Sequence, residues 1–208
     1  VIEEFMEGPE VSVFAISDGE TALPFGAACD YKRAHDGDMG PNTGGMGSYS
    51  PPQVADAALI AEIPKNVMEP VVRAMAAEGN PYRGVLFGGL MLTADGPKVL
   101  EFNARFGDPE TQVILPRLKT DLLEVILAAV GNQLKDLKVD WEESACVGVV
   151  IASGGYPGDY ETGHPVYGLD ALDDALAFQA GTKVGDGPFP QSAGGRVATI
   201  VACGDDVA

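Results

Sequence analysis

The stretch Glu101-Phe102-Asn103-Ala104-Arg105-Phe106-Gly107-Asp108-Pro109-Glu110-Thr111-Gln112 follows the run Lys98-Val99-Leu100 and carries a carboxylate, an amide and a guanidinium at alternate positions. Alternate side chains of a β-strand share a face, so Glu101, Asn103 and Arg105 are expected to converge. A carboxylate and an amide oxygen suit a hard cation such as Mg²⁺, which takes oxygen ligands and commonly arrives with phosphates. A neighbouring guanidinium suits the charge that develops on a transferring phosphoryl group. The pattern predicts a metal–nucleotide site; a solvated edge strand is the other origin of such alternation. Phe102 and Phe106, around Ala104, predict a buried opposite face. Asp108-Pro109-Glu110 has the form of a helix start, with Asp as N-cap, Pro in the first turn and an early Glu complementing the dipole. A helix beginning there would turn backbone N–H groups toward an anion.

Upstream, Gly84 to Thr93 is an apolar run that Ala94-Asp95-Gly96 sends back through Pro97 to Asn103, a hairpin. A first hairpin is expected from Val11 to Ile16, through the turn Asp18-Gly19, and back along Thr21 to Ala28. Asp30 to Ser50 is glycine-rich and predicts a loop. Asp56 to Glu78 has helical character, with Val67, Val71 and Met75 at i+4 spacing, and Pro64 and Pro70 are expected to break it. Asp121-Leu122-Leu123-Glu124 opens a further helix through Leu127, ending at Gly131. A composition shift near Leu137 predicts a domain boundary, followed by the strand Cys146 to Ala152. Hairpins mixed with helices point to an α+β fold.

Composition narrows the function classes. The chain has 208 residues with 31 acidic against 13 basic side chains, a formal net charge of −18. Nucleic-acid binding needs clustered Lys and Arg to neutralise phosphates, and the longest basic run here is Lys32-Arg33. Such a protein must handle phosphates through a metal and a few placed cations. Cys29, Cys146 and Cys203 are widely spaced and include no Cys-x-x-Cys pair, so neither a disulfide framework nor zinc is expected, and a reducing, cytoplasmic setting is. No signal peptide or membrane-length apolar run is present. Opening at Val1 without an initiator Met, the chain is expected to be part of something longer.

Three further segments carry candidate chemistry. Glu3-Glu4-Phe5-Met6 precedes a Gly8-Pro9 break, where extended backbone could meet an adenine edge and a carboxylate could hold ribose hydroxyls; an acidic surface turn is the alternative. Asp30-Tyr31-Lys32-Arg33 puts cations before Gly40-Pro41-Asn42-Thr43-Gly44-Gly45-Met46-Gly47. Glycines there let backbone approach an anion, so a ligand loop is expected rather than a linker. His35 and His164 lack partners at metal-ligand spacing and are expected to be exposed.

Together these motifs resemble the glycinamide ribonucleotide synthetase (phosphoribosylamine–glycine ligase) family of ATP-grasp ligases. The resemblance rests on Arg105 to Gln112, Gly40 to Gly47, Asp30 to Arg33, Gly154-Gly155-Tyr156-Pro157-Gly158-Asp159-Tyr160, Ala180-Gly181-Thr182 and Gly194-Gly195-Arg196-Val197. It implies the C-terminal part of an ATP-grasp domain over residues 1–137, an antiparallel sheet with helices. A small mixed α/β C-terminal domain over 138–208 would follow, truncated at its end. It implies ATP-dependent joining of glycine to 5-phosphoribosylamine through glycyl phosphate in purine biosynthesis, with Mg²⁺ or Mn²⁺. Glu3, Glu4, Phe5 and Met6 would form the adenine hinge and Glu10 would hold the ribose. Glu101 and Asn103 would ligate metal, and Arg105 and Lys32 would be catalytic. Asp30, Lys32, Asn42, Thr43, Gly44, Gly45 and Asp108 would face the glycine and ribosylamine substrates.

Many ATP-grasp enzymes carry an acidic third ligand on the preceding strand, where this chain has Gly88-Gly89-Leu90, so the metal would lean on water and phosphates. The family also has an upstream half with lid lysines, without which this chain is expected to be inactive. Another ATP-grasp carboxylate–amine ligase, or a non-catalytic nucleotide-binding half, are the alternatives.

Overall fold

The structure is a computed structural model that describes residues 2–207; Val1 and Ala208 lie outside the described residues. Strands and helices are numbered along the chain. By contact the chain divides into two compact units, each assembled from three separated segments. The first is Val1–Cys29, Pro51–Gly107 and Arg117–Glu143; the second is Asp30–Ser50, Asp108–Pro116 and Ser144–Ala208. The expected boundary near Leu137 stays an expectation about sequence composition; the compact units interleave along the chain instead.

The first unit is built on an antiparallel sheet in the order β7–β6–β1–β2. Strand β1 (Glu10–Asp18) is buried from Val11 to its end, on both faces, so it must lie inside a sheet. Strand β2 (Ala22–Asp30) returns beside it after a turn at Gly19. The turn is anchored by the Asp18 carboxylate, only 3% exposed, which accepts from the N–H groups of Glu20 (3.1 Å), Thr21 (2.8 Å) and Leu134 (3.3 Å). Strand β6 (Arg83–Thr93) pairs along all of β1 and turns into β7 (Gly96–Asn103), so both expected hairpins are present.

The two prolines do not break the helical segment. Asp56 caps α1 (Ala57–Ile63) through Leu59 N–H at 2.7 Å, and the chain stays right-handed through a π-helical turn, Pro64–Met68, into α2 (Glu69–Ala77). Pro64 lacks the N–H that an α-turn needs; the wider π turn restores pairing by sending Glu69 N–H to the Pro64 carbonyl. Ile63, Met68 and Val72 are buried from this segment. Gly88 of β6 leaves room for it: a Cβ there would lie 2.6 Å from Met68 Cε.

Helix α4 (Leu122–Val130) is capped by Asp121 through Leu123 N–H at 2.8 Å and ends at Gly131, as its sequence requires. It buries Val125, Ala128 and Ala129. Phe14, Phe25, Phe87, Phe106 and Trp141 form the aromatic core, with Phe25 edge-on to Trp141 at 5.3 Å and 6.0 Å from Phe106. Phe106 is half-buried against Phe14 and Phe25, and Phe102 is 39% exposed because β7 is the outer strand of this sheet.

In the second unit, β5 (Gly47–Ser50), β8 (Ala145–Ala152), β12 (Arg196–Gly204) and β9 (Leu176–Gln179) pair antiparallel in that order. Asp30 to Ser50 is therefore not a plain loop: besides β5 it contains β3 (Arg33–His35) paired with β4 (Met39–Asn42). A short helix α3 (Thr111–Ile114) buries Val113 and Ile114, and β10 (Thr182–Lys183) pairs with β11 (Gln191–Ser192).

The cysteine expectation is overturned. Cys146 and Cys203 sit directly opposite on β8 and β12 and are disulfide-bonded. Fifty-seven residues separate them in sequence, which is why spacing gave no sign of the pair, and the argument for a reducing setting from unpaired cysteines does not stand. Cys29 is buried, its thiol 3.5 Å from the Glu10 carbonyl oxygen.

Phe25 is fully buried between two rings, so Phe25→Ala is expected to lose about 3–5 kcal/mol of stability, read from urea unfolding monitored by Trp141 fluorescence.

Candidate nucleotide and substrate sites

In the first unit, residues 2–9 run without regular secondary structure into β1. Glu3, Glu4 and Phe5 are exposed and Met6 is half-buried. The segment is held at two points. Glu4 Oε1 lies 2.7 Å from Lys98 Nζ, a hydrogen-bonded ion pair that raises the lysine above its usual pKa. The Pro9 carbonyl accepts from Leu92 N–H at 2.9 Å. Gly8 is required at this approach, since a Cβ would sit 2.1 Å from the Leu92 carbonyl oxygen. The segment is thus tethered ahead of Glu10, which opens β1.

Glu101 and Asn103 occupy alternate positions at the end of β7, opposite Gly89 and Phe87 of β6. A Cβ on Gly89 would lie 3.3 Å from Glu101 Cγ, so the glycine opens the space that the glutamate stem takes. Arg105 is not on the strand: β7 ends at Asn103, the chain bends at Ala104, and the exposed guanidinium donates from Nη1 to the Phe106 carbonyl at 2.8 Å. A guanidinium carries five N–H donors, so donors remain for an anion. Among the described residues no cluster of three or more His, Cys, Asp or Glu could hold a metal. The protein offers one carboxylate and one amide oxygen, a donor set that fits a hard cation completed by water and phosphate oxygens.

In the second unit, the segments Asp30 to Arg33 and Gly40 to Gly47 are laced together. Tyr31 N–H donates to Gly47 (2.9 Å) and Met46 N–H to Tyr31 (2.7 Å). The Lys32 carbonyl accepts from both the N–H (2.7 Å) and the hydroxyl (2.9 Å) of Thr43, whose Oγ1 in turn accepts from Gly45 N–H at 3.0 Å. The loop is a closed, cross-braced hairpin that presents an exposed Asn42 side chain. Gly45 has φ +109°, and a Cβ there would lie 2.4 Å from Pro109 Cδ. The fold itself therefore demands this glycine, before any ligand is considered.

Asp108 is not an N-cap. Helix α3 starts at Thr111 after Glu110, which makes no side-chain cap bond. The Asp108 carboxylate instead accepts from Gln112 Nε2 (3.0 Å) and Arg196 Nη2 (3.2 Å). Arg196 also donates from Nη1 to the carbonyls of Gly44 (2.7 Å), Gly45 (3.3 Å) and Asp108 (2.9 Å). Tyr156 Oη accepts from Gly44 N–H at 3.1 Å. Sequence reasoning assigned no role to Arg196 or Tyr156, although both stand in motifs quoted for the resemblance and Arg196 is one of the few cations in the C-terminal stretch. The structure thus gathers Asp30, Lys32, Asn42, Thr43, Gly44, Gly45 and Asp108 in one unit and Glu3 to Met6, Glu10, Glu101, Asn103 and Arg105 in the other.

Residues 1–111 match the family model of the phosphoribosylglycinamide synthetase ATP-grasp (A) domain, and residues 146–208 match that of the phosphoribosylglycinamide synthetase C domain. The chain belongs to the phosphoribosylglycinamide synthetase family. A phosphoribosylamine–glycine ligase of Caldanaerobacter subterraneus subsp. tengcongensis is 52% identical over 205 residues, 99% of this chain and 49% of that protein. The Escherichia coli ligase is 48% identical over 211 residues, again about half its own length. The chain therefore spans about half the length of the curated relatives it matches. Among solved structures, the Thermotoga maritima phosphoribosylamine–glycine ligase superposes with a TM-score of 0.87 at 35% identity, covering 99% of this chain and 50% of that one. The synthetase family thus accounts for both units, and the antiparallel sheet is that of an ATP-grasp ligase. No helix among the described residues is long and apolar enough to cross a membrane.

Because Gly45 combines a positive φ with contact against Pro109, Gly45→Val is expected to lose about 2–4 kcal/mol from overpacking and left-handed strain, measured by chemical denaturation.

Proposed function

We propose that this chain is part of a cytoplasmic, ATP-dependent ligase of purine biosynthesis that joins glycine to 5-phosphoribosylamine, giving glycinamide ribonucleotide, ADP and phosphate. The observation that carries the reading is the match to phosphoribosylamine–glycine ligases along essentially the whole chain. The tethered hinge and the paired oxygen donors of β7 agree with it.

Glycine carboxylate is anionic and resists attack by an amine. Its oxygen attacks the γ-phosphorus of ATP, the bond to the bridging oxygen breaks, and ADP leaves with that electron pair. The amine of phosphoribosylamine then attacks the acyl carbon of glycyl phosphate. Phosphate departs, the nitrogen loses a proton, and an amide remains. Glu3 to Met6 receive the adenine through backbone groups and Glu10 the ribose hydroxyls. Glu101 and Asn103 would hold Mg²⁺ or Mn²⁺, which would offset phosphate charge. Arg105 donates to the oxygens of the phosphoryl group in transfer, where charge is spread most widely. Lys32, Asp30, Asp108 and the Asn42 to Gly45 loop orient glycine and the ribosylamine. We assign the rest of the cleft, with the lysines that grip the ATP phosphates, to the half of the relatives' length that this chain does not include. Accordingly, this chain alone is not expected to turn over.

The experiment is phosphate release by the full-length ligase carrying this segment, with each substrate omitted in turn. Strict dependence on ATP, glycine and phosphoribosylamine is expected; equal turnover with a different carboxylate in place of glycine would overturn the assignment.

In that enzyme Glu101→Gln and Asn103→Leu should raise the Mg²⁺ concentration for half-maximal activity about tenfold or more, since each removes an oxygen ligand or its charge at a hard-cation site. Glu101 is exposed, so its melting temperature should stay within a few degrees of the parent's. Loss of stability with unchanged metal dependence would make the strand end structural.

A further inference from the structure

We propose that Arg196 and Tyr156 are positioning residues of the ligation reaction, a clamp that fixes the peptide planes of the Asn42 to Gly47 loop without touching substrate. The inference rests on the reading of that loop as substrate-binding.

The root of the clamp is rigid. Arg196 opens β12 opposite Ala152, its carbonyl accepts from Gly181 N–H at 2.8 Å, and the preceding Gly194 and Gly195 carbonyls accept from the Ser153 hydroxyl (2.9 Å) and N–H (2.8 Å). The head reaches 152 residues back along the sequence. A simple ion pair would need only the Asp108 carboxylate, but this guanidinium also engages three backbone carbonyls, two of them in the loop. On the other side of the same residue, Tyr156 takes the Gly44 N–H. Both polar groups of Gly44 are therefore held by side chains, and the Gly45 N–H is taken by Thr43. The backbone of Gly44 and Gly45 cannot rotate without giving up several hydrogen bonds, and the side chains of Asn42 and Thr43 are presented at a fixed attitude.

The pattern draws on both terminal nitrogens of the guanidinium, Nη1 toward the three carbonyls and Nη2 toward the Asp108 carboxylate, whereas lysine offers a single compact ammonium. Gly44 is where the clamp closes, since a Cβ there would lie 3.1 Å from Arg196 Cζ. Small misplacements of substrate-orienting groups have large kinetic consequences, so the clamp should act on substrate use rather than on ATP.

The test uses the full-length ligase carrying this segment and the variants Arg196→Met, Arg196→Lys and Tyr156→Phe, with Asn42→Ala and Thr43→Val as probes of the loop itself. KM for glycine and for phosphoribosylamine, kcat, the ATP dissociation constant and the melting temperature are measured for each. Arg196→Met is expected to raise one of the two substrate KM values roughly tenfold or more. Tyr156→Phe, which removes one hydrogen bond, should raise the same KM about threefold to tenfold. Arg196→Lys should recover part of the loss, and ATP affinity should stay unchanged in all three. If Arg196→Met does not fold, Arg196→Lys and Tyr156→Phe decide the matter, and unchanged KM in both overturns the clamp. A lowered melting temperature with unchanged KM overturns it too, since Arg196 would then be structural only. If the loop probes raise KM and the clamp variants do not, the substrate loop stands and the clamp falls. If the loop probes leave both KM values unchanged, the loop reading fails and the clamp with it.

Discussion

Everything in the first unit depends on β1 having apolar side chains on both of its faces. A strand buried from Val11 onward must have a neighbour on each edge, and those neighbours inherit its register. Strand β6 pairs with it along nine positions, from Glu10 with Met91 to Asp18 with Arg83. The hairpin carries the pairing into β7, where the register shifts between Leu90–Val99 and Gly89–Glu101, and past that irregularity Glu101 falls opposite Gly89 and Asn103 opposite Phe87. A slip of one residue exchanges the faces of a strand. It would send Glu101 to the side where Phe102 now lies, away from the space that Gly89 leaves for its stem. Glu101 and Asn103 thus stand on a strand joined to the core through β6, with a local irregularity in the pairing just before them.

The legible parts of this chain were those governed by local rules. The two hairpins announced themselves by apolar runs around Asp18-Gly19 and Ala94-Asp95-Gly96, and α4 by Asp121 and Gly131, because turn and cap chemistry acts over a few residues. The alternation of Glu101 and Asn103 was readable for the same reason. Where local rules competed, they misled. Pro64 and Pro70 are breakers of an α-helix, yet a π turn absorbs the first and the second falls at the start of α2. Asp108-Pro109-Glu110 has the composition of a helix cap, but an arginine 88 residues away claims the carboxylate. The glycines between Asp30 and Ser50 looked like loop residues, although three short strands run among them.

The two units differ in how their candidate sites are held, and this explains why one was easier to see. Oxygen donors on β7 come from a single strand, so the sequence shows them side by side. The Asn42 to Gly47 loop is braced from afar, by Arg196, Tyr156 and the Asp108-Pro109 corner, none of which is near it in the chain. Cys146 and Cys203 illustrate the same point: their contact is a consequence of the β8–β12 register, and no spacing rule contains it.

Charge ties these observations together. With a net charge of −18, the protein repels anions at long range, so any anion it binds must be drawn in by local groups. Arg196 shows that a cation in this chain is not automatically such a group: its guanidinium is turned onto carbonyls and one carboxylate, so its charge serves geometry. Lys98 is likewise bound to Glu4. Arg105, exposed and anchored by a single N–H to its neighbour's carbonyl, keeps a charged fork turned outward at the end of the strand that carries Glu101 and Asn103. An acidic protein that places its few cations this way confines exposed positive charge to a few local points rather than spreading it over a basic surface.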